Sequence, residues 1–261
     1  MKKIKILNKN FYKPISCLTA YSPSIAKILD GKIDLILVGD SLGSTLYGMK
    51  NTQGVTIDMM KKHGAIVNKA IKKSLKVIDM PYKTYENNID AYKNAKILLN
   101  CCKPDLLKLE INKKKLSILE YLVHKKINVI SHIGVTPQSY KSFNKIKILG
   151  RTNKEKNNLL NLAKKSEEIG AKAVLLECIT ADTAKLITEN ISIPTIGIGA
   201  SKYCDGQVLV FDDLINLSVN GKKPKFVKNY LNFSKIAGFA IKKYNRDVKL
   251  KKFPSLKFSY N

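Results

Sequence analysis

Five short apolar runs in the sequence each deliver an ionisable side chain at their C-terminal end. Leu35-Ile36-Leu37-Val38 runs into Gly39-Asp40, Leu75–Asp79 and Leu106–Glu110 end in acids, Val129–His132 ends in an imidazole, and Ala173–Glu177 ends in a further acid. An acid at a strand end is usually a turn former or a helix cap. Five such ends in succession describe a functional cluster instead. Asp40, Asp79 and Glu110 offer only hard oxygen donors and His132 is the sole imidazole near them, a set that suits Mg²⁺ better than zinc. Magnesium takes one or two carboxylates and keeps positions for water and substrate oxygens. Lys108 lies two residues before Glu110, so on a strand the two share a face. There it either binds a substrate carboxylate or pairs with Glu110. Glu177 stands apart from the other three acids, among Leu175, Leu176 and Cys178. An apolar surround raises a carboxyl pKa and fits it for general-base work.

The runs that carry these residues read as strands at Ile15–Thr19, Leu35–Val38, Leu75–Asp79, Leu106–Glu110, Val129–His132, Ala173–Glu177, Thr195–Ile198 and Val208–Phe211. Helical spacing fills the gaps at Ser24–Leu29, Ile57–Lys72, Asn87–Cys101, Lys115–Lys125, Lys154–Ile169 and Ala181–Glu189, and a long helix is expected over Phe226–Tyr244. Strands that are apolar throughout and alternate with helices imply a parallel sheet covered on its faces. Two closures satisfy that pattern, a (β/α)₈ barrel and an open doubly wound sheet, and a count of eight strands favours the barrel. In a barrel, the C-terminal strand ends form the catalytic face, and the five ionisable ends fall there. No linker or composition shift marks a boundary, so one domain is expected over 1–261, with a basic, loosely packed tail from about 246.

Weaker features have plainer readings. Ile196-Gly197-Ile198-Gly199-Ala200 allows close backbone approach to a ligand but is no GxGxxG motif. His63 inside a helix reads as a surface or packing residue, and His124 near a helix C-terminus suits the dipole there. Cys178 reads as a buried thiol.

Apolar residues make up 44% of the 261 and charged ones 26%, which excludes wholesale disorder. The formal net charge of +27 invites a nucleic-acid reading. Its makeup argues otherwise: 45 lysines are scattered along the chain beside only two arginines, Arg151 and Arg246. Clamps on phosphates and bases favour the bidentate arginine fork. Arg151 follows Gly150, and a structural ion pair at the barrel rim or at a subunit contact is expected of it. The five cysteines are odd in number and show no CxxC spacing, so no disulfide framework is expected. The basic start at Met1–Lys5 is followed by no apolar core, and no run approaches the ~18 apolar residues of a membrane span. A cytoplasmic protein with neither a membrane nor a specific nucleic-acid partner is the expectation.

Several runs resemble those of the ketopantoate hydroxymethyltransferase family. They are Thr19-Ala20-Tyr21, Val38-Gly39-Asp40-Ser41-Leu42-Gly43, Asp79-Met80-Pro81, Lys108-Leu109-Glu110, the octet His132–Ser139, and Leu176-Glu177-Cys178. Ile196–Ala200, Asp205-Gly206-Gln207 and Pro224–Lys228 follow in family order. The resemblance implies a (β/α)₈ barrel related to the phosphoenolpyruvate/pyruvate group of Mg²⁺ enzymes. It implies transfer of a hydroxymethyl group from 5,10-methylenetetrahydrofolate to 3-methyl-2-oxobutanoate, giving 2-dehydropantoate and tetrahydrofolate. It also implies that Asp40 and Asp79 bind Mg²⁺ and that Glu110 reaches it through water. Ser41 and Lys108 would contact the keto acid, with His132 also in the substrate site, and Glu177 would be the proton acceptor. A homo-oligomer, commonly a decamer in bacteria, is implied too.

The chain departs from the family pattern at Ser22, Ile111-Asn112, Ser201 and Asp212–Asn216, all in loops and none at a proposed metal or substrate residue. A lyase of the isocitrate lyase type would also use Mg²⁺ and an α-keto acid, but it should carry a mobile Lys-Cys-Gly-type loop, and the sequence has none.

Overall fold

The computed structural model describes residues 3–9, 13–142, 146–217 and 223–260. Eight strands close a barrel in sequence order: β1 (Ile15–Thr19), β2 (Leu35–Val38), β3 (Leu75–Asp79), β4 (Leu106–Glu110), β5 (Val129–Gly134), β6 (Ala173–Glu177), β7 (Thr195–Ile198) and β8 (Gly206–Leu209). Neighbours pair in parallel throughout, and β8 returns to β1. The expected bounds hold except that β5 runs on to Gly134 and β8 spans Gly206–Leu209 rather than Val208–Phe211. At Gly206 a side chain would fall 2.6 Å from the carbonyl oxygen of Ile15. Only glycine allows the approach that closes the barrel there.

The strands are apolar on both faces because both are buried. Leu35, Leu37, Leu75, Val77, Leu106, Ile130, Ala173, Leu175 and Ile196 form one interior cluster, which Leu7 joins from the 3₁₀ turn Lys3–Leu7. Burying each larger aliphatic side chain is worth about 1.5–3 kcal/mol. That interior outweighs the scattered surface ion pairs, which contribute little.

Outside lie α1 (Pro23–Leu29), α2 (Leu42–Thr45), α3 (Ile57–Ala70), α4 (Asn88–Cys102), α5 (Leu116–His124), α6 (Asn153–Ile169) and α7 (Ala181–Asn190). The longer ones pack in succession, α1 on α3, then α4, α5, α6 and α7. Their ends follow side-chain chemistry. Thr152 and Glu155 form a capping box at the start of α6, and Gly170 closes it in the left-handed region, φ 106°.

The end of the barrel opposite the ionisable cluster is pinned by aspartates that precede strands. Asp34 accepts from Ser16 N, Asp105 from Lys76 N and Asp205 from Thr195 N, each at 2.8 Å. Each ties its own strand to the start of a neighbour and fixes the register. Acids at this end therefore serve the scaffold, and acids at the other end are left for chemistry.

The chain divides into two compact units, Met1–Val210 and Phe211–Asn261. The barrel lies in the first. The second holds α8 (Phe211–Leu214) and α9 (Phe233–Lys249). Asn232 caps α9 by accepting from Lys235 N, so the helix starts seven residues later than its apolar spacing predicts and runs on to Lys249. No helix among the described residues is long and apolar enough to cross a membrane.

Candidate active site

The alternation that turns Leu75, Val77, Leu106, Ile130, Ala173 and Leu175 into the barrel continues along the same strands to Asp79, Lys108, Glu110, His132 and Glu177. Register then sets these neighbours side by side. Asp79 pairs with Lys108, Glu110 with His132, and Gly134 with Glu177. Gly134 has φ +96°, and a side chain there would lie 2.4 Å from the Glu177 carbonyl oxygen. The same carbonyl accepts from Val135 N at 2.8 Å, so this glycine lets β5 close on the backbone that carries Glu177.

Lys108 is the centre of the arrangement. Its Nζ lies 3.0 Å from Asp79 Oδ1 and 3.2 Å from His132 Nδ1. Of its two expected roles, pairing with Glu110 is corrected: its ion partner is Asp79 on the adjacent strand. Burial alone would lower the Lys108 pKa, but the charges of Asp79, Asp40 and Glu110 outweigh it and hold it above the ordinary value. An ammonium has no acceptor to offer, so His132 Nδ1 must accept and the ring proton sits on Nε2. Burial, aided by the Lys108 charge, keeps this imidazole well below its usual pKa, and it stays neutral.

His132 Nε2 approaches Glu177 Oε2 to 3.2 Å and Nδ1 lies 3.9 Å from Glu110 Oε1. The Nε2 contact is close but poorly angled, and Nε2 has no hydrogen bond among the described residues. Glu177, expected apart from the other acids, is thus linked to them through one imidazole. Burial raises its pKa to about 7, against the pull of Lys108.

Asp40 and Asp79 form an interlocked pair. Asp40 N donates to Asp79 Oδ2 at 3.0 Å, and Asp40 Oδ2 accepts from Gln138 Nε2 at 2.8 Å. Each carboxylate therefore has Oδ2 tied down. Asp79 Oδ1 is buried and, beyond its ion pair with Lys108, accepts no well-angled hydrogen bond. Burial and the charge of Asp40 raise the Asp79 pKa to about 7 despite Lys108. Glu110 is lifted well above its ordinary value by burial and by Asp40.

Buried carboxylates that resist ionisation beside one another, with a hard oxygen among them that accepts no well-angled hydrogen bond, fit a divalent cation of the magnesium type. Among the described residues no three His, Cys, Asp or Glu side chains converge at ligating geometry. Both Glu110 oxygens already share the Gln138 N–H, at 3.1 and 3.2 Å, so a link through water suits it better than direct ligation.

The residue that sequence reasoning missed is Gln138. It lies in the 3₁₀ turn Pro137–Ser139, buried, and touches Asp40, Glu110, Met80 and Tyr85. An amide carries no reactive signature, and only its place in the octet His132–Ser139 pointed to it. Ser41 is bonded to the Tyr21 hydroxyl at 2.7 Å.

The remaining features are structural. His63 bonds the Tyr21 carbonyl through Nδ1 at 2.8 Å and the Tyr47 hydroxyl through Nε2 at 3.0 Å. His124 ends α5. Cys178 adopts φ 48°, and burial together with Glu177 pushes its thiol up to about 12, which makes it a poor nucleophile. Arg151 makes no side-chain ion pair within this chain among the described residues, which leaves the expected pairing to a subunit contact; its backbone N–H donates to Glu155 at 2.8 Å. Three departures from the family pattern have local uses. Ser22 caps α1, Asn112 caps the turn Lys113–Lys115, and Ser201 Oγ accepts from Tyr203 N.

Comparison with known proteins adds an independent line. The profile of the ketopantoate hydroxymethyltransferase family matches residues 2–256. The 3-methyl-2-oxobutanoate hydroxymethyltransferase of Pelagibacter ubique (strain HTCC1062) is 48% identical over 260 residues, 98% of this chain and 99% of that protein. That of Anaplasma marginale (strain St. Maries) is 41% identical over 258 residues, 99% of this chain and 92% of that one. Among solved structures, phosphonopyruvate hydrolase in complex with oxalate and Mg²⁺ superposes with a TM-score of 0.63 at 10% identity, covering 98% of this chain and 92% of that one. Oxaloacetate acetylhydrolase in complex with 3,3-difluorooxalacetate gives 0.62 at 12% identity, over 81% of this chain and 79% of that one. At such identities these likenesses show the fold alone, a closed parallel barrel.

Proposed function

The chain belongs to the ketopantoate hydroxymethyltransferase family, and on that premise we propose that it transfers a hydroxymethyl group from 5,10-methylenetetrahydrofolate to 3-methyl-2-oxobutanoate. The products are 2-dehydropantoate and tetrahydrofolate, in pantothenate biosynthesis. One observation carries the reading. A carboxylate whose pKa is raised to about 7, Glu177, faces the same rim as the interlocked acids Asp40 and Asp79. Removing a proton next to a ketone needs such a base, together with stabilisation of the charge that develops on the keto oxygen.

Mg²⁺ held by Asp40 and Asp79, with Glu110 through water, would supply Lewis-acid stabilisation of that charge. Lys108 brings a fixed positive charge for the substrate carboxylate, and its contacts with Asp79 and His132 keep the ammonium in place. Ser41, steadied by Tyr21, adds a hydroxyl contact. His132 stays neutral, so it presents a donor to substrate without competing with Lys108 for charge. Glu177 takes the C3 proton and the carbanion forms the new bond to the one-carbon unit of the folate; the carbon–nitrogen bonds to the folate break, one water supplies the hydroxyl oxygen, and tetrahydrofolate leaves carrying the protons.

We place the enzyme in the cytoplasm, without a specific nucleic-acid partner. A homo-oligomer is proposed on the exposed apolar side chains of α9, among them Phe233, Ile236 and Tyr244. The test is formation of 2-dehydropantoate from the keto acid and methylenetetrahydrofolate. Product that vanishes on chelation and returns with Mg²⁺ supports the proposal, and product formed equally in a chelator refutes its metal part. No product under any condition refutes the activity.

A further inference from the structure

We infer that Gln138 and Tyr85 together set the orientation of the Asp40 carboxylate, acting as positioning residues for the cation. The inference rests on the functional reading above and adds two residues to it. Tyr85 is fully buried. Its hydroxyl oxygen receives the Glu110 N–H at 3.3 Å, which leaves its own proton to donate, and the acceptor is Gln138 Oε1 at 2.5 Å. That fixes which end of the amide carries oxygen. Gln138 Nε2 then faces two acceptors, the Met80 carbonyl at 3.0 Å and Asp40 Oδ2 at 2.8 Å. A flipped amide would set oxygen against oxygen at both and forfeit those two bonds, each worth about 0.5–1.5 kcal/mol net.

The consequence lies at Asp40. Its Oδ2 is held by an uncharged donor that cannot reorient, so Oδ1 is the oxygen presented to a ligand. The Asp40 N–H does the same to Asp79, holding its Oδ2 at 3.0 Å and leaving Oδ1. Two carboxylates, each with Oδ2 tied down and Oδ1 held in a fixed place, that of Asp79 beside the Lys108 ammonium, make a preorganised pair of monodentate ligands. An amide suits the task where a carboxylate would not, because glutamate at 138 would add a negative charge against Asp40. Gln138 is itself seated from outside, its carbonyl accepting from Gln53 Nε2 at 2.8 Å. The Gln138 N–H to Glu110 belongs to the backbone, so replacing the side chain tests Asp40 without touching that bond.

The experiment is calorimetric titration of the metal-free protein with MgCl₂ alone, comparing the unaltered chain, Gln138→Ala and Tyr85→Phe, with circular dichroism to confirm folding. Removing an outer partner of a metal ligand typically weakens affinity about 10–100-fold, and Gln138→Ala is expected in that range. Tyr85→Phe removes one hydroxyl and leaves no cavity, so about 2- to 10-fold weakening is expected. The Mg²⁺ concentration for half-maximal rate should rise in step with the dissociation constant, more than kcat at saturating Mg²⁺ falls; a merely structural residue would not move that split. Unchanged Mg²⁺ affinity in both folded variants would overturn the inference. If Gln138→Ala does not fold, Tyr85→Phe decides alone. An unaltered protein that binds no Mg²⁺ would overturn the functional reading of Asp40 and Asp79, and this inference with it.

Discussion

The imidazole of His132 meets the carboxylate of Glu177 across neighbouring strands, Nε2 to Oε2, at 3.2 Å. Burial, aided by Lys108 on the far side of the ring, keeps the imidazole neutral, and the Lys108 ammonium places its proton on the nitrogen that faces Glu177. The base therefore sees a neutral group rather than a cation. Were His132 charged, it would pull the Glu177 pKa down and weaken it as a proton acceptor. Burial thus sets both states: it keeps the His132 ring neutral with the help of Lys108, and it holds the Glu177 carboxyl raised against the pull of the same lysine.

The pH profile follows with a definite sign. Glu177 must be ionised to accept a proton, and its pKa stands at about 7 rather than the ordinary 4.5. Below that value kcat/KM should fall about tenfold per pH unit, and above it the rate should level off. The measurement is kcat/KM for the keto acid from pH 5 to 9 at saturating Mg²⁺. A profile flat down to pH 5.5 would mean an unperturbed carboxylate and a different base.

Gly134 and Gly238 make a matched pair of tests. At Gly134, with φ +96° and the Glu177 carbonyl 2.4 Å from any added Cβ, alanine must strain the backbone or part β5 from β6. Strain of this kind costs about 1–3 kcal/mol, and each kcal/mol lowers Tm by about 2–4 °C at this size. Gly134→Ala should lose both Tm and turnover. Gly238, inside α9, has nothing within 4 Å of an added Cβ. There alanine should leave Tm unchanged or raise it, since glycine costs a helix about 0.5–1 kcal/mol. Thermal melts and turnover of both variants check the contrast.

Much of this was legible in the sequence, and the reasons are specific. Asp40, Asp79, Glu110, His132 and Glu177 could be placed on one rim because each follows or ends an apolar run, and Lys108 joins them because an inward parity carries through the strand from Leu106 to Glu110 as from Leu75 to Asp79. What sequence could not supply is partnership between strands. That Lys108 pairs with Asp79 depends on the register of β4 against β3. Gln138 stayed hidden because an amide in a short turn looks like any other. Local signals also lost to tertiary ones. The helix from Ile57 stops at Ala70, and the N–H groups of Lys72, Lys73 and Ser74 turn instead to the carboxylate of Asp30. The four-residue α2, which contains Gly43, is too short to leave a period. The start of β8 was missed because Gly206-Gln207 carries no strand-like pattern, only the close approach to Ile15.

The central claim is that Glu177 removes the C3 proton of the keto acid, and the most direct measurement is exchange of that proton. The protein with Mg²⁺ and 3-methyl-2-oxobutanoate, but no folate, is placed in deuterated water and the C3 signal is followed by NMR. The unaltered chain should exchange it. Glu177→Gln keeps the shape but cannot take a proton, so exchange should slow by about 10²–10⁴-fold while Mg²⁺ and keto-acid binding persist. Exchange at the unaltered rate in Glu177→Gln would contradict the account and move the base to another residue of the rim.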